Sequence, residues 1–188
     1  MASTYVGSLS PEFALLGLLS QRPAHGYELH QKLDNELGQI WHLSQSQIYN
    51  ILNRLEAKSY IRGTLQKQEG LPAKRLFRLT PSGVRRFETW LHSPSRASVR
   101  AIRVEFTTRL YFAYSISAGM TKELIDAQIH ETRAGLARLQ RIRDGLPSEQ
   151  IFNKLGLDLR IRQLTSILEW LAACHSVLIS HQEGDDLG

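Results

Sequence analysis

Between Gln45 and Tyr60 the apolar residues Ile48, Ile51, Leu52 and Leu55 recur at i, i+3, i+4 and i+7. That spacing buries a single stripe only when the segment is helical. The opposite face carries Ser46, Gln47, Asn50, Asn53 and Arg54, hydrogen-bonding groups of which one is charged. A solvated helix face usually holds Lys and Glu, which form helices at little cost, whereas Asn and Ser are poorer helix formers. Asn and Gln each pair a donor with an acceptor, the combination that reading a base edge requires. A merely polar surface is the competing account, and the flanking residues decide between the two.

Before this helix, Ser10 followed by Pro11 reads as an N-cap with a first-turn proline. Phe13, Leu15, Leu16, Leu18 and Leu19 then form a short helix that must be buried all round, and Pro23 breaks it. A second helix spans about Gly26 to Leu37 with Leu29, Leu33 and Leu37 on one face, and Gly38 ends it. Ser44 or Ser46 caps the third helix. Residues 60–66 and 75–79 read as two strands around the basic connection KQEGLPAK, which predicts a hairpin with a long tip. Thr80 and Pro81 open a fourth helix with a core face of Val84, Phe87 and Leu91. Three helices followed by a strand, a basic loop and a strand is the order of a winged helix-turn-helix, whose third helix enters the major groove.

Charge agrees. From Arg54 to Arg86 there are nine Lys or Arg against Glu56 and Glu69, an excess of +7, while residues 93–188 carry twelve basic and eleven acidic groups. A local excess beside a polar helix is the footprint of phosphate contact. No basic amphipathic helix with an aromatic apolar face accompanies it, so double-stranded DNA is the expected partner and a membrane is not. The 188 residues, with 42% apolar content, can form one domain or two small ones. No transmembrane run or leader is visible, and the single cysteine, Cys174, fits a reducing compartment; the expectation is a cytoplasmic protein.

Residues 93–98, SPSRAS, read as a hinge between a DNA-binding domain over 9–92 and a helical domain over 99–180, with residues 1–9 a loose arm and 181–188 a disordered tail. The fold class is mainly α with a small β-hairpin wing. In the second domain, helices are expected at 99–118, ended by Gly119, and from a Thr121 cap to about Gly145 with Ile125, Ile129, Leu136, Leu139 and Ile142 near heptad spacing. After Pro147 comes a last helix carrying Leu157, Ile161, Leu164, Leu168, Leu171 and Leu178. Two seams exceed what one chain can cover, which predicts a homodimer through Ile161, Leu164, Leu168, Leu171 and Leu178. A self-contained three-helix bundle is the alternative.

The segments FALLGLL (13–19), HGYELHQKL (25–33), ELGQIWHLSQSQIYNILNRLEAKSYI (36–61) and KRLFRLTPSG (74–83) resemble the PadR-type transcriptional regulators. VEFTTRLYF (104–112) and ILEWL (167–171) resemble the C-terminal domain of that family's longer branch, which includes phenolic-acid-responsive repressors and virulence activators. The resemblance implies a homodimeric, ligand-responsive regulator, of the repressor kind, on a pseudo-palindromic operator. It places Ser46, Gln47 and Tyr49 at the start of the recognition helix, Lys74 and Arg75 at the end of the wing, and Gly26 and Tyr27 at the start of the second helix, where a phosphate can sit. The wing GLPAK is less lysine-rich than in the phenolic-acid repressors, so operator and effector are not carried over.

The candidate DNA-binding set is therefore Gly26, Tyr27, Ser44, Ser46, Gln47, Tyr49, Asn50, Asn53, Arg54, Lys67, Lys74 and Arg75. Gln47, Asn50 and Asn53 are the base-reading candidates, and Ser46 and Tyr49 the phosphate anchors. Arg54 reads guanine or holds the backbone. Tyr49 equally well covers the packing of the second helix on the third. A small aromatic effector is placed near Phe106, Tyr111, Tyr114 and Trp170, whose spacing also suits a core. His and Cys are scattered without metal-ligand spacing, and no phosphate loop, nucleophile elbow or HExxH motif is present, so no cofactor, metal or catalytic residue is assigned. The competing class is a winged-helix protein-interaction module without specific DNA binding.

Overall fold

The computed structural model describes residues 10–68 and 71–185, with side chains outside 67–68, 71–73 and 179–185. Two compact units meet between Ser93 and Pro94. In the first, α1 (Glu12–Gln21) is buried on every side, with Phe13, Leu15, Leu16, Leu18 and Leu19 all in the core. Ser10 Oγ accepts the Glu12 amide at 3.3 Å. Each fully buried Leu contributes about 1.5–3 kcal/mol, so this helix is stable only inside the bundle. Around it pack α2 (Gly26–Leu37), α3 (Gln45–Ala57) and α4 (Pro81–Leu91). Leu29, Leu33 and Leu37 of α2 and Ile48, Ile51, Leu52 and Leu55 of α3 are buried, as their spacing predicts. On α4 Phe87 and Leu91 are buried as expected and Trp90 joins them, stacked on Phe13 at 4.8 Å, while Val84 is exposed.

Where the sequence suggests only a break near Pro23, the chain forms a two-residue strand β1 (Ala24–His25). It pairs antiparallel with β3 (Leu71–Leu79), which also pairs with β2 (Ile61–Gln68), giving the order β1-β3-β2. The hairpin is longer than expected. Gln66 still faces Lys74, and after an irregularity Gln68 faces Leu71, so most of the presumed loop is strand. α3 ends in a left-handed turn: Ser59 has φ 57°, its amide bonds the Glu56 carbonyl and the Tyr60 amide bonds that of Leu55. This is a Schellman closure built without glycine. The Ser59 carbonyl then accepts Thr80 Oγ1 at 2.7 Å and Ser82 Oγ at 2.8 Å, tying the end of α3 to the start of α4.

The second unit is helical. α5 (Val99–Ala101) continues through a π-helical segment (Ile102–Phe106) into α6 (Thr107–Ile116). Thr107 and Thr108 donate their hydroxyls to the carbonyls of Ile102 at 3.0 Å and Val104 at 2.6 Å, which accommodates the wider turn. The helix stops at Ser117, not Gly119. Ser117 Oγ accepts the Met120 amide and caps α7 (Ala118–Asp144), so Gly119 lies in its first turn and Thr121 is buried behind it. α8 (Ile151–Asp185) then runs as one helix through residues 181–185 expected to be a disordered tail; residues 186–188 and the arm 1–9 lie outside the described residues.

Leu171 belongs to a core with Ile102, Phe106, Leu110 and Ile125, against which Leu168 and Leu178 pack. Leu164 is also buried and Ile161 half-buried. The seam expected to meet a second copy is thus largely consumed inside one chain, because heptad spacing marks a buried stripe without saying whose core it enters. Among the described residues of α8, the large apolar ones left exposed are others: Ile151, Phe152 (88% exposed), Leu155, Leu159, Trp170 and Val177. The stretch expected as a hinge is also engaged in this unit. Arg109, fully buried, donates to Ser95 Oγ and Glu105 Oε1, each at 2.7 Å, and Gln128 receives the Ser95 amide at 3.1 Å. Burial lowers the Arg109 pKa to about 10 and the Glu105 carboxylate opposes that shift, so the cation persists at neutral pH. The Ala97 Cβ lies where a side chain at Gly135 would fall.

Candidate nucleic-acid interface

α3 begins in a reciprocal cap. Ser44 Oγ accepts the Gln47 amide at 3.3 Å, and Gln47 Oε1 accepts the Ser44 amide at 2.8 Å. His30 Nε2 lies 3.0 Å from the Leu43 carbonyl and fixes the approach to this turn. Ser46, Gln47, Asn50, Asn53 and Arg54 are exposed on the side opposite the buried stripe. Two of them are occupied within the chain. Gln47 spends its carbonyl oxygen on the cap, and Arg54 Nε donates to Glu12 Oε1 at 2.6 Å. Asn50 and Asn53 stand clear of both interactions.

Tyr49 lies over the start of α2. A Cβ at Gly26 would sit 2.7 Å from its Cε1 and Cζ, so glycine is what lets the ring approach. The second of the two accounts of Tyr49, covering the packing of α2 on α3, is the one the geometry displays. At the N-terminus of α2, where a phosphate is expected, Glu28 accepts the His25 amide at 2.7 Å, so a carboxylate shares that turn. Tyr27 is half exposed, and its hydroxyl accepts from Gln31 at 2.7 Å. His25, Tyr27, Glu28, Gln31, Tyr49, Lys74 and Arg75 border an open depression of about 630 Å³.

On the wing, Lys74 is exposed and Arg75 is tethered. Arg75 Nη2 meets Glu56 at 2.7 Å, while Glu56 Oε1 also accepts the Gly63 amide at 2.9 Å, so one carboxylate of α3 braces both strands. The side chain of Lys67 lies outside the described residues. Sequence reasoning counts Arg62 and Arg78 only as charge, yet they are cross-strand partners and both exposed. Like charges placed opposite each other destabilise a hairpin, so strand pairing alone does not favour this arrangement. Sequence reasoning also misses the acidic partners Glu12 and Glu56, because pairs 42 and 19 residues apart leave no local signature, whereas Glu28, three residues from His25, has the capping-box spacing.

Of the expected effector residues, Phe106 is fully buried with its ring 6.1 Å from Trp170 in an edge contact, and Tyr111 packs edge-on to Phe112 at 4.9 Å. Of the four, Trp170 lines a cleft in the helical unit. That cleft holds about 310 Å³ between Val99, Ile102, Arg103, Thr107, Ile167 and Trp170, so the π-helical segment forms one wall. Phe106, Tyr111 and Tyr114 do not line it, because Phe106 points into the core cluster and the tyrosines lie beyond that turn. Burial raises the Cys174 thiol, which packs against the same core. Among the described residues no three His, Cys, Asp or Glu gather as a metal site, and no helix is long and apolar enough to cross a membrane.

Residues 15–89 match the transcriptional regulator PadR-like family, and residues 102–178 match the virulence activator alpha C-terminal domain. The negative transcriptional regulator PadR of Bacillus subtilis (strain 168) is 31% identical over 131 residues, 69% of this chain and 70% of that protein. The chain belongs to the PadR family. Solved structures similar to this PadR-family regulator include Bacillus subtilis PadR in complex with operator DNA, 27% identical over 88% of this chain and 96% of that one, with a TM-score of 0.43. Another is Bacillus subtilis PadR in complex with p-coumaric acid, 26% identical over 89% and 94% of the two chains, with a TM-score of 0.39. The winged helix-turn-helix of the first unit and the helical second unit correspond to the two family matches.

Proposed function

We propose that this PadR-family protein is a cytoplasmic, ligand-responsive regulator that binds a pseudo-palindromic DNA operator as a homodimer. The observation that carries the DNA reading is the outer face of α3, where Asn50 and Asn53 are exposed and uncommitted beside a wing bearing Lys74, Arg62 and Arg78. Asn50 and Asn53 read base edges in the major groove, and Ser46 contacts the backbone. Gln47 holds the first turn through its oxygen and offers only its amide nitrogen outward. Lys74, Arg62 and Arg78 contact phosphates, whereas Arg75 braces the wing and Tyr49 and Gly26 hold α2 against α3. Ser44 acts as the cap, and Tyr27 borders the depression that receives the backbone.

Two-fold symmetry in the protein calls for two-fold symmetry in the site it binds. The contact between copies is assigned to the exposed row Phe152, Leu155 and Leu159 at i, i+3 and i+7 of α8, in place of the seam buried within the chain. The effector is assigned to the 310 Å³ cleft, where the Trp170 ring offers a stacking face and Arg103 a guanidinium for a carboxylate. An aromatic monocarboxylate such as p-coumaric acid, which occupies Bacillus subtilis PadR, has that chemistry.

Selection from a randomised duplex library tests the DNA reading. Asn50→Ala relaxes discrimination at one base pair per half-site by roughly 1–3 kcal/mol. Lys74→Ala weakens all duplexes alike and reduces the salt slope by about one. If wild type selects no sequence and binds duplex without salt dependence, the reading is wrong.

A further inference from the structure

Glu12 is a carboxylate on a helix that is otherwise apolar, and its side chain is only 7% exposed. A charge in that position needs partners, since burial penalises an unpaired ion heavily. It has two. Oε1 accepts Arg54 Nε at 2.6 Å, and Oε2 lies 3.5 Å from Arg86 Nη2. One negative charge between two positive ones leaves a surplus, and the surroundings decide where it goes. Arg86 is held by packing, its guanidinium 5.1 Å from the Phe13 ring centroid and 4.7 Å from that of Tyr60. Arg54 is 52% exposed, and Glu12 engages its Nε alone. Its two Nη groups make no hydrogen bond among the described residues, and Arg54 stands one turn beyond Asn50 on the exposed face of α3.

We infer that Glu12 is a positioning residue for DNA specificity: it immobilises Arg54 so that the Nη pair donates to O6 and N7 of a guanine next to the base read by Asn50. The inference rests on the proposed duplex-DNA reading of α3. A phosphate contact would not need a buried carboxylate behind it, because a flexible cation suffices for that. A bidentate base contact does, because the fork must arrive in the plane of the base pair. Holding Nε removes the rotamer freedom that would otherwise be lost on binding.

Duplex selection and competition binding with wild type, Glu12→Gln, Arg54→Ala, Arg54→Lys and Arg86→Gln test this. Glu12→Gln keeps the shape of the side chain and removes its charge. The expected result is a loss of guanine preference of about tenfold or more at one and the same base pair in Glu12→Gln, Arg54→Ala and Arg54→Lys. The double variant Glu12→Gln/Arg54→Ala loses no more than Arg54→Ala, since coupled residues are not additive. Arg86→Gln, which touches the same carboxylate from the packed side, lowers the melting temperature without moving the preference. Arg86 still pairs with Glu12 when Arg54 is replaced, and Arg54→Lys keeps a second cation beside it, so the buried carboxylate is not left alone in the Arg54 variants. Retention of guanine preference in Glu12→Gln, or in Arg54→Lys, overturns the inference while leaving the DNA reading intact. Uniform weakening across sequences in Arg54→Ala also overturns it, by assigning Arg54 to a phosphate. A wild-type protein without sequence preference overturns the proposed function and this inference together.

Discussion

The 2.7 Å between an ideal Cβ at Gly26 and the ring of Tyr49 is small enough that any side chain at Gly26 displaces the ring. Tyr49 is 38% exposed and swings on its own χ angles, so the displacement is cheap in stability. Gly26→Ala should therefore shift the unfolding free energy by less than the ~1–3 kcal/mol typical of overpacked cores, because the ring can move outward. Operator affinity should fall together with that of Tyr49→Ala, and the two losses should not add. Equilibrium denaturation beside competition binding checks this. A large loss of stability with unchanged DNA binding would show that Tyr49 is merely a packing residue. Much of this scale was legible in the sequence: the exposed rank Ser46, Asn50 and Asn53 follows from helical spacing. What stayed hidden were commitments to distant partners, such as Arg54 to Glu12 and Arg75 to Glu56, which only the fold brings together.

Among the elements, the helix over residues 99–116 carries the most unexpected feature, its π-helical segment from Ile102 to Phe106. Wider turns of this kind cost backbone geometry and are frequent at functional sites. Here the segment aims Ile102 and Arg103 at the cleft while Phe106 turns into the core. Titration of p-coumarate should quench Trp fluorescence in wild type, and Arg103→Ala should weaken the response about tenfold or more, the scale of one charge-assisted hydrogen bond. An Arg103→Ala titration superimposed on that of wild type would remove the cleft from consideration. Sequence periodicity places the helix but not its extra residue, since one inserted position shifts the stripe by a fraction of a turn. The two-residue β1 is equally silent, being defined by its pairing with Phe77 and Leu76 and not by its own composition.

For the whole molecule, the element order and the charged wing follow from sequence, whereas the destination of the α8 leucines does not. A heptad row can face its own chain or another, and Leu164 and Leu171 face their own. Phe152→Asp with Leu159→Asp should give a chain that sediments as a monomer and binds a full operator about 10²–10⁴-fold more weakly, the usual gain from linking two half-site contacts. A double variant that remains dimeric would move the contact off this row. The exposure of Phe152 has a further consequence. If stability and pairing are linked through that row, melting temperature rises with protein concentration. Operator occupancy then grows with the square of subunit abundance at low expression, so a twofold change in synthesis is read by the promoter as nearly fourfold. Gene dosage then becomes an input in its own right.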